Sequence, residues 1–186
     1  MTRQGKGNPE RPPDINPVGK GHALWLLPEE PMFSRLGDEI SRLSQEYSTP
    51  CFDPHVTLLS GITGWEEENL ANLASLVSSL KPIRVELGAI GYLDEYYRCL
   101  FFNVVPAGAV LNAHQAAQEV FGLRSESAFI PHLSLVYGRL GLEAKKGIAA
   151  DLSSLSGQVI ELGHLKLYRV SGSPDEWGCV ETFDLR

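Results

Sequence analysis

The sequence predicts a fold of mixed helices and strands built as two similar lobes related by a pseudo-twofold. Three observations predict it. Pro54-His55-Val56-Thr57-Leu58 and Pro131-His132-Leu133-Ser134-Leu135 share one frame, Pro-His-apolar-hydroxyl-Leu, with their histidines 77 residues apart. The elements around each copy recur in the same order. The tripeptide Glu-Leu-Gly stands at matching places, as Glu86-Leu87-Gly88 and Glu161-Leu162-Gly163. One tripeptide match alone is chance; matches kept in order along the chain are the mark of an internal repeat.

The elements follow in turn. Residues 22–27 read as a strand preceding the first unit. A helix over about 32–47 places Phe33, Leu36, Ile40, Leu43 and Tyr47 on one stripe. The first His segment then alternates polar and apolar residues as a half-buried strand does. Ten residues after His55, Trp65-Glu66-Glu67-Glu68 opens a helix with Leu70, Leu73, Val77 and Leu80 inward. Its acidic first turn suits the positive end of the helix dipole. Strands over 83–93 and 98–105 close the first unit. The second unit repeats this with a helix over about 107–121 and the His132 strand. A helix opened by Leu142-Glu143-Ala144 follows, carrying Ile148, Ala149, Leu152 and Leu155, and then strands over 159–170 and 177–185.

On a strand, residues i and i+2 share a face. His55 and Thr57 therefore point one way while Val56 and Leu58 point into a core. His132 and Ser134 repeat the arrangement opposite Leu133 and Leu135. One imidazole plus one hydroxyl, presented twice, suits acid–base work on an anionic group. These two tetrads resemble those of the 2H phosphoesterase superfamily, and the reaction that resemblance implies, opening a five-membered cyclic phosphate, needs water attacking phosphorus in line with the departing oxygen. One imidazole takes the proton of water and the other, protonated, gives one to the leaving oxygen. The two must sit on opposite sides of phosphorus, which a pseudo-twofold supplies. Thr57 and Ser134 can donate to the non-bridging oxygens, where charge grows in the transition state. We place His132 as base and His55 as acid, although the pattern itself is symmetric.

Composition narrows the partners. The chain of 186 residues is 43% apolar and 21% charged, enough for one sizeable core and one domain, 21–186. Residues 1–20 are Pro- and Gly-rich without apolar periodicity and read as a flexible tail, lacking the apolar core of a signal peptide. No run could span a bilayer. The net charge is −7, and the 16 basic residues are scattered, with Lys145-Lys146 the one adjacent pair. That excludes a counterion-releasing face for long nucleic acid and favours a small anion held in a cleft. The three cysteines form no CxxC, which argues for a reducing, cytoplasmic setting; Cys99 and Cys179 lie in strand patterns and read as small buried hydrophobes. No His/Asp/Glu cluster has ligand spacing, so neither metal nor cofactor is expected. His114 reads as solvated on its helix, and His22 and His164 as structural.

The pair His55-Val56-Thr57-Leu58 and His132-Leu133-Ser134-Leu135 resembles the tetrads of the 2H phosphoesterase superfamily. The segments Trp25-Leu26-Leu27-Pro28-Glu29-Glu30 and Phe129-Ile130-Pro131-His132-Leu133-Ser134-Leu135-Val136-Tyr137 look most like its plant-type cyclic nucleotide phosphodiesterases. The resemblance covers roughly residues 22–185. It implies a bilobal α+β fold, each lobe an antiparallel sheet packed by helices, with a central cleft carrying both tetrads. It implies metal-independent hydrolysis of ADP-ribose 1″,2″-cyclic phosphate and nucleoside 2′,3′-cyclic phosphates, the latter to nucleoside 2′-phosphates, by His55 and His132 in a monomer. Such substrates belong to the turnover of RNA and tRNA splicing products. It also implies that aromatics at Trp25 and Tyr137 line the nucleotide site; Phe129 is a further candidate. Leu24, Leu26 and Leu27 around Trp25 equally allow a core position. Tyr137 has the wrong strand parity and reaches the cleft only if the strand ends near Val136, which Gly138 permits. Two other readings stand beside this one: an RNA-end enzyme, 2′–5′ RNA ligase-like or a 3′-exonuclease, and a non-catalytic nucleotide-binding module.

Overall fold

The computed structural model describes residues 20–124 and 128–186, so the tail expected over 1–20 lies, except for Lys20, outside the described residues. Strand β1 (His22–Pro28) precedes the first unit, which holds α1 (Met32–Tyr47), β2 (Val56–Ile62), α2 (Glu66–Val77), β3 (Ile83–Gly91) and β4 (Leu100–Val105). The second holds α3 (Gly108–Phe121), β5 (His132–Val136), α4 (Leu142–Asp151), β6 (Val159–Arg169) and β7 (Gly178–Asp184).

The helices form where the apolar stripes lie. In α1, Leu36, Ile40 and Leu43 recur on one face and are each at most 1% exposed. Burial of each contributes about 1.5–3 kcal/mol. The helix stops at Ser48, whose φ of 52° is left-handed and lets the Thr49 N–H reach the Ser44 carbonyl. Glu66, Glu67 and Glu68 occupy the first turn of α2, and Glu143 that of α4, where exposed amides attract negative charge. Leu80 and Leu155 fall beyond their helices, yet both join the core, Leu155 from a 3-10 turn.

All seven strands pair antiparallel in the order β1-β2-β5-β4-β3-β6-β7, and β1 also pairs with β6. The first six therefore close into a ring. The eleven residues of β6 make closure possible: residues 159–162 pair with β3, while 162–169 pair with β1 and 164–169 with β7. On the other side the ring closes through a single β2–β5 pair, Val56 opposite Leu133.

The helices cover one face of this sheet, and most of the strand leucines bury themselves there. Strand β1 is buried on both faces, which explains its unbroken apolar run. Leu24 and Leu26 enter the main core; Ala23, Trp25 and Leu27 enter a smaller cluster with Val170 on the opposite face. Close packing also explains one glycine of the repeated tripeptide. A Cβ at Gly163 would collide with the Glu29 side chain.

Several expectations change. Arg98 belongs to a 3-10 turn, Tyr96–Arg98, rather than to β4. Cys99 is buried but Cys179 is exposed, because it lies on the edge strand β7; all three cysteines are free thiols. Of the one adjacent basic pair, Lys145 is buried, with Nζ donating to the Leu93 carbonyl at 2.8 Å and to Asp94 at 2.7 Å, which agrees with the absence of a basic face read from the sequence. His114 is not simply solvated. Its Nδ1 lies 2.6 Å from the Leu58 carbonyl and its ring stacks on Phe129. The β2–β5 pairing stops after one residue pair, and His114 meets a carbonyl just past that point. No helix among the described residues is long and apolar enough to cross a membrane.

Candidate active site

The single pair joining β2 to β5 is built from the central residues of the two repeated segments. Val56 and Leu133 face the core at 0% exposure. Their neighbours must then face the other way, and there Thr57, His132 and Ser134 line a cavity of about 460 Å³. In the β1–β2 register Trp25 stands opposite Thr57, which brings it to the same face. Trp25 is thus both things its surroundings allowed: it is 2% exposed and it lines the cavity.

His55 just precedes β2 and sits deeper than its counterpart. It is 2% exposed, with its imidazole stacked on the Trp25 indole at 3.6 Å between centroids and 6° between planes. Its Nδ1 lies 2.6 Å from the carbonyl of Asp53, and Nδ1 of His132 lies 2.8 Å from the carbonyl of Ile130. Both acceptors stand two residues upstream of their histidine. A carbonyl can only accept, so each Nδ1 carries the proton and each neutral ring has its lone pair at Nε2. The repeat therefore reproduces the tautomer as well as the residue.

Electrostatics separates the two rings. Burial pushes His55 from 6.5 down to about 3, against the opposing pull of the Asp53 carbonyl and carboxylate. Burial also lowers His132, opposed by the Ile130 carbonyl and assisted by the nearby charge of Arg98. Both imidazoles are therefore neutral at pH 7 in the unliganded protein.

Tyr137 reaches the cavity as its position allowed. Strand β5 ends at Val136, and Gly138, with φ of 150° and its N–H on the Tyr96 carbonyl at 2.8 Å, turns the chain. The Tyr137 hydroxyl lies 3.2 Å from His55 Nε2. It donates to the neutral ring and can accept from the protonated one. Burial raises its own pKa, so the phenol keeps its proton. The Ser134 hydroxyl donates to the Tyr97 carbonyl at 3.1 Å. Phe129 lies apart from the residues lining the cavity, its ring stacked on His114 at 3.9 Å. His22 lies between Glu66 and Asn69, and His164 between Glu29 and Asp184, both away from the cavity.

Other lining residues carried no sequence signal. Tyr97, Arg98 and Trp177 come from turns, where no strand parity announces a facing direction. Arg98 is held by Glu95 through Nε and Nη2, at 2.9 and 2.6 Å. Trp177 follows a capping box, Ser173 with Glu176, that fixes its turn. Among the described residues, no three His, Cys, Asp or Glu side chains gather as a metal site.

Such an arrangement offers a small molecule in the cavity one neutral imidazole and two hydroxyls, with a second imidazole packed behind Trp25 and Tyr137. A family model described as cyclic phosphodiesterase-like protein matches residues 20–185. A cyclic phosphodiesterase of Arabidopsis thaliana is 26% identical over 150 residues, spanning 78% of this chain and 83% of that protein. Among solved structures, E. coli LigT complexed with 3′-AMP aligns with a TM-score of 0.59 at 12% identity, over 90% of this chain and 98% of that one. A protein of Thermus thermophilus, TT0787, aligns with a TM-score of 0.58 at 17% identity, over 89% and 98%. At those identities the structures establish the shared fold.

Proposed function

The chain belongs to the cyclic phosphodiesterase-like protein family, and from that premise we propose that His55 and His132 open small cyclic phosphodiesters without a metal. It is a phosphodiesterase enzyme. The substrates we assign are ADP-ribose 1″,2″-cyclic phosphate and nucleoside 2′,3′-cyclic phosphates, the latter opened to 2′-phosphates. Residues 21–186 act as one unit whose two halves flank the cleft as lobes.

The observation that carries the reading is the paired geometry at Val56 and Leu133. It leaves Thr57, His132 and Ser134 on one cavity, with His55 packed against two of that cavity's lining side chains, Trp25 and Tyr137. His132 lines that cavity, where water reaches it, and is neutral; it is the base. Water attacks phosphorus as His132 Nε2 takes its proton. The bond to the ribose 3′ oxygen breaks, and His55 Nε2 gives that oxygen a proton. His55 suits the acid role because the Trp25 π-face at 3.6 Å favours a cation above it. Its proton arrives with the substrate, whose negative charge favours the imidazolium. Thr57 and Ser134 donate to the non-bridging oxygens, Ser134 by turning from the Tyr97 carbonyl. Trp25 and Tyr137 frame the nucleoside. A cavity of about 460 Å³ suits a nucleotide rather than a duplex.

Phosphorus NMR of a 2′,3′-cyclic nucleotide incubated with wild type, His55→Ala and His132→Ala tests this. The wild type should yield the 2′-phosphate, and each variant should slow roughly 10²–10⁴-fold. Equal turnover by all three proteins would reject the assignment.

A further inference from the structure

His55 is the fourth member of a closed circuit of side chains. Its ring stacks on Trp25, and Tyr168 also stacks on Trp25, at 3.8 Å and 21°. The Tyr168 hydroxyl donates to the Asp53 carboxylate at 2.6 Å. The Asp53 carbonyl in turn receives His55 Nδ1–H at 2.6 Å. Lys166 Nζ donates to the same Asp53 carboxylate oxygen at 3.1 Å. Cross-strand register explains the convergence: Lys166 stands opposite Trp25, and Tyr168 opposite Ala23, along the β1–β6 pairing.

We propose that Asp53, Lys166 and Tyr168 are positioning residues that hold His55 in one tautomer and one orientation and set the charge beside it. The inference rests on the reading of His55 as the acid. Free rotation of the 53–54 peptide would carry away the acceptor of Nδ1. Anchoring the Asp53 carboxylate at two donors from β6 stops that rotation. His132 has no comparable brace among the described residues: its acceptor belongs to Ile130, which is 53% exposed. The two histidines thus share a motif but differ in support. The braced one is the one buried against aromatic rings.

The charges of the brace act in opposite directions. Asp53 draws a proton toward His55 and Lys166 opposes it. Burial raises the Asp53 carboxyl, but the Tyr168 and Lys166 hydrogen bonds outweigh this and hold it below the ordinary carboxylate value. The other polar or titratable groups facing His55 are Tyr137 and, through space, His132. Removing one member of the Asp53–Lys166 pair therefore shifts His55 in a direction set by the member removed.

The test is ¹⁵N-histidine NMR of the full chain without substrate, with rate profiles alongside. Wild-type His55 should be a single Nδ1–H tautomer at pH 7. Lys166→Met should raise the His55 titration midpoint by about one pH unit and Asp53→Asn should lower it by a similar amount. The double variant should lie near wild type. Tyr168→Phe keeps the stacking and loses the hydroxyl; it should mix the tautomers and lower kcat roughly tenfold. Lys166→Gln makes the same charge change should Lys166→Met misfold. Midpoint shifts of one sign, or none, in folded variants would overturn the proposal. If the midpoints shift as stated while the pH profile of the rate stays put, the positioning stands and the acid role of His55 falls.

Discussion

The pH dependence of turnover separates the free enzyme from its complex. Moving the His55 pKa from 6.5 to about 3 leaves about one imidazole in 10⁴ protonated at pH 7 in the empty cleft, a gap of about 5 kcal/mol. A phosphodiester anion about 4 Å away, at an effective dielectric constant near 20, returns about 4 kcal/mol. The bound complex should therefore hold its His55 proton up to about pH 6, near the unperturbed value. The sequence alone predicts a bell between about pH 5 and 8. With both imidazoles lowered, the alkaline limb of kcat/KM must fall below 6.5, on the acid side of that window. The limbs of kcat should lie higher, because substrate is already bound, and both limbs belong to the pair rather than to one ring. Initial rates from pH 4 to 9 measure both profiles. Calorimetry of a product 2′-nucleotide in two buffers of different ionisation enthalpy should show a proton taken up on binding near pH 7. Identical limbs near 6.5 in kcat and kcat/KM, with no proton uptake, would refute the burial argument.

Thr57→Ala and Ser134→Ala should each lower kcat roughly 10–10³-fold, with a smaller change in KM, since their bonds strengthen as charge builds on phosphorus; steady-state kinetics on a cyclic nucleotide measures this split. EDTA should leave the rate unchanged if, as proposed, an imidazole rather than a metal activates the nucleophile; activity lost to the chelator and restored by a divalent ion would make the two histidines ligands. A cyclic mononucleotide should be turned over at least as well as a short RNA with a cyclic end, given the scattered basic residues and the nucleotide-sized cavity. Preference for the RNA by orders of magnitude would point to an RNA-end enzyme instead.

The repeated pentapeptide, its alternation and the helical stripes are local properties of the chain, and they determined much of this protein by themselves. Strand period 2 told which side of Val56 and Leu133 the histidines and hydroxyls take. Apolar spacing located α1 at its observed ends, and the strand-ending role of Gly138 explained how Tyr137 turns inward. Family membership was legible in the two tetrads for the same reason, since a sequence motif is a short run of residue types. Tertiary structure alone decided how deeply each histidine lies. Two nearly identical segments place His55 under Trp25 and leave His132 on the cavity, because stacking partners come from β1 and β6, far along the chain. Phe129 could not be told from a cavity residue until His114 was seen to occupy its face. Asp53, Lys166 and Tyr168 were invisible for the same cause: the Asp53 carboxylate lies 113 and 115 residues before the Lys166 amine and the Tyr168 phenol, and meets them only when β1 pairs with β2 on one side and β6 on the other. Side-chain burial and hydrogen-bond partners, and the pKa values they set, depend on what the rest of the chain brings within a few ångströms. That packing is the part of the site no local pattern encodes.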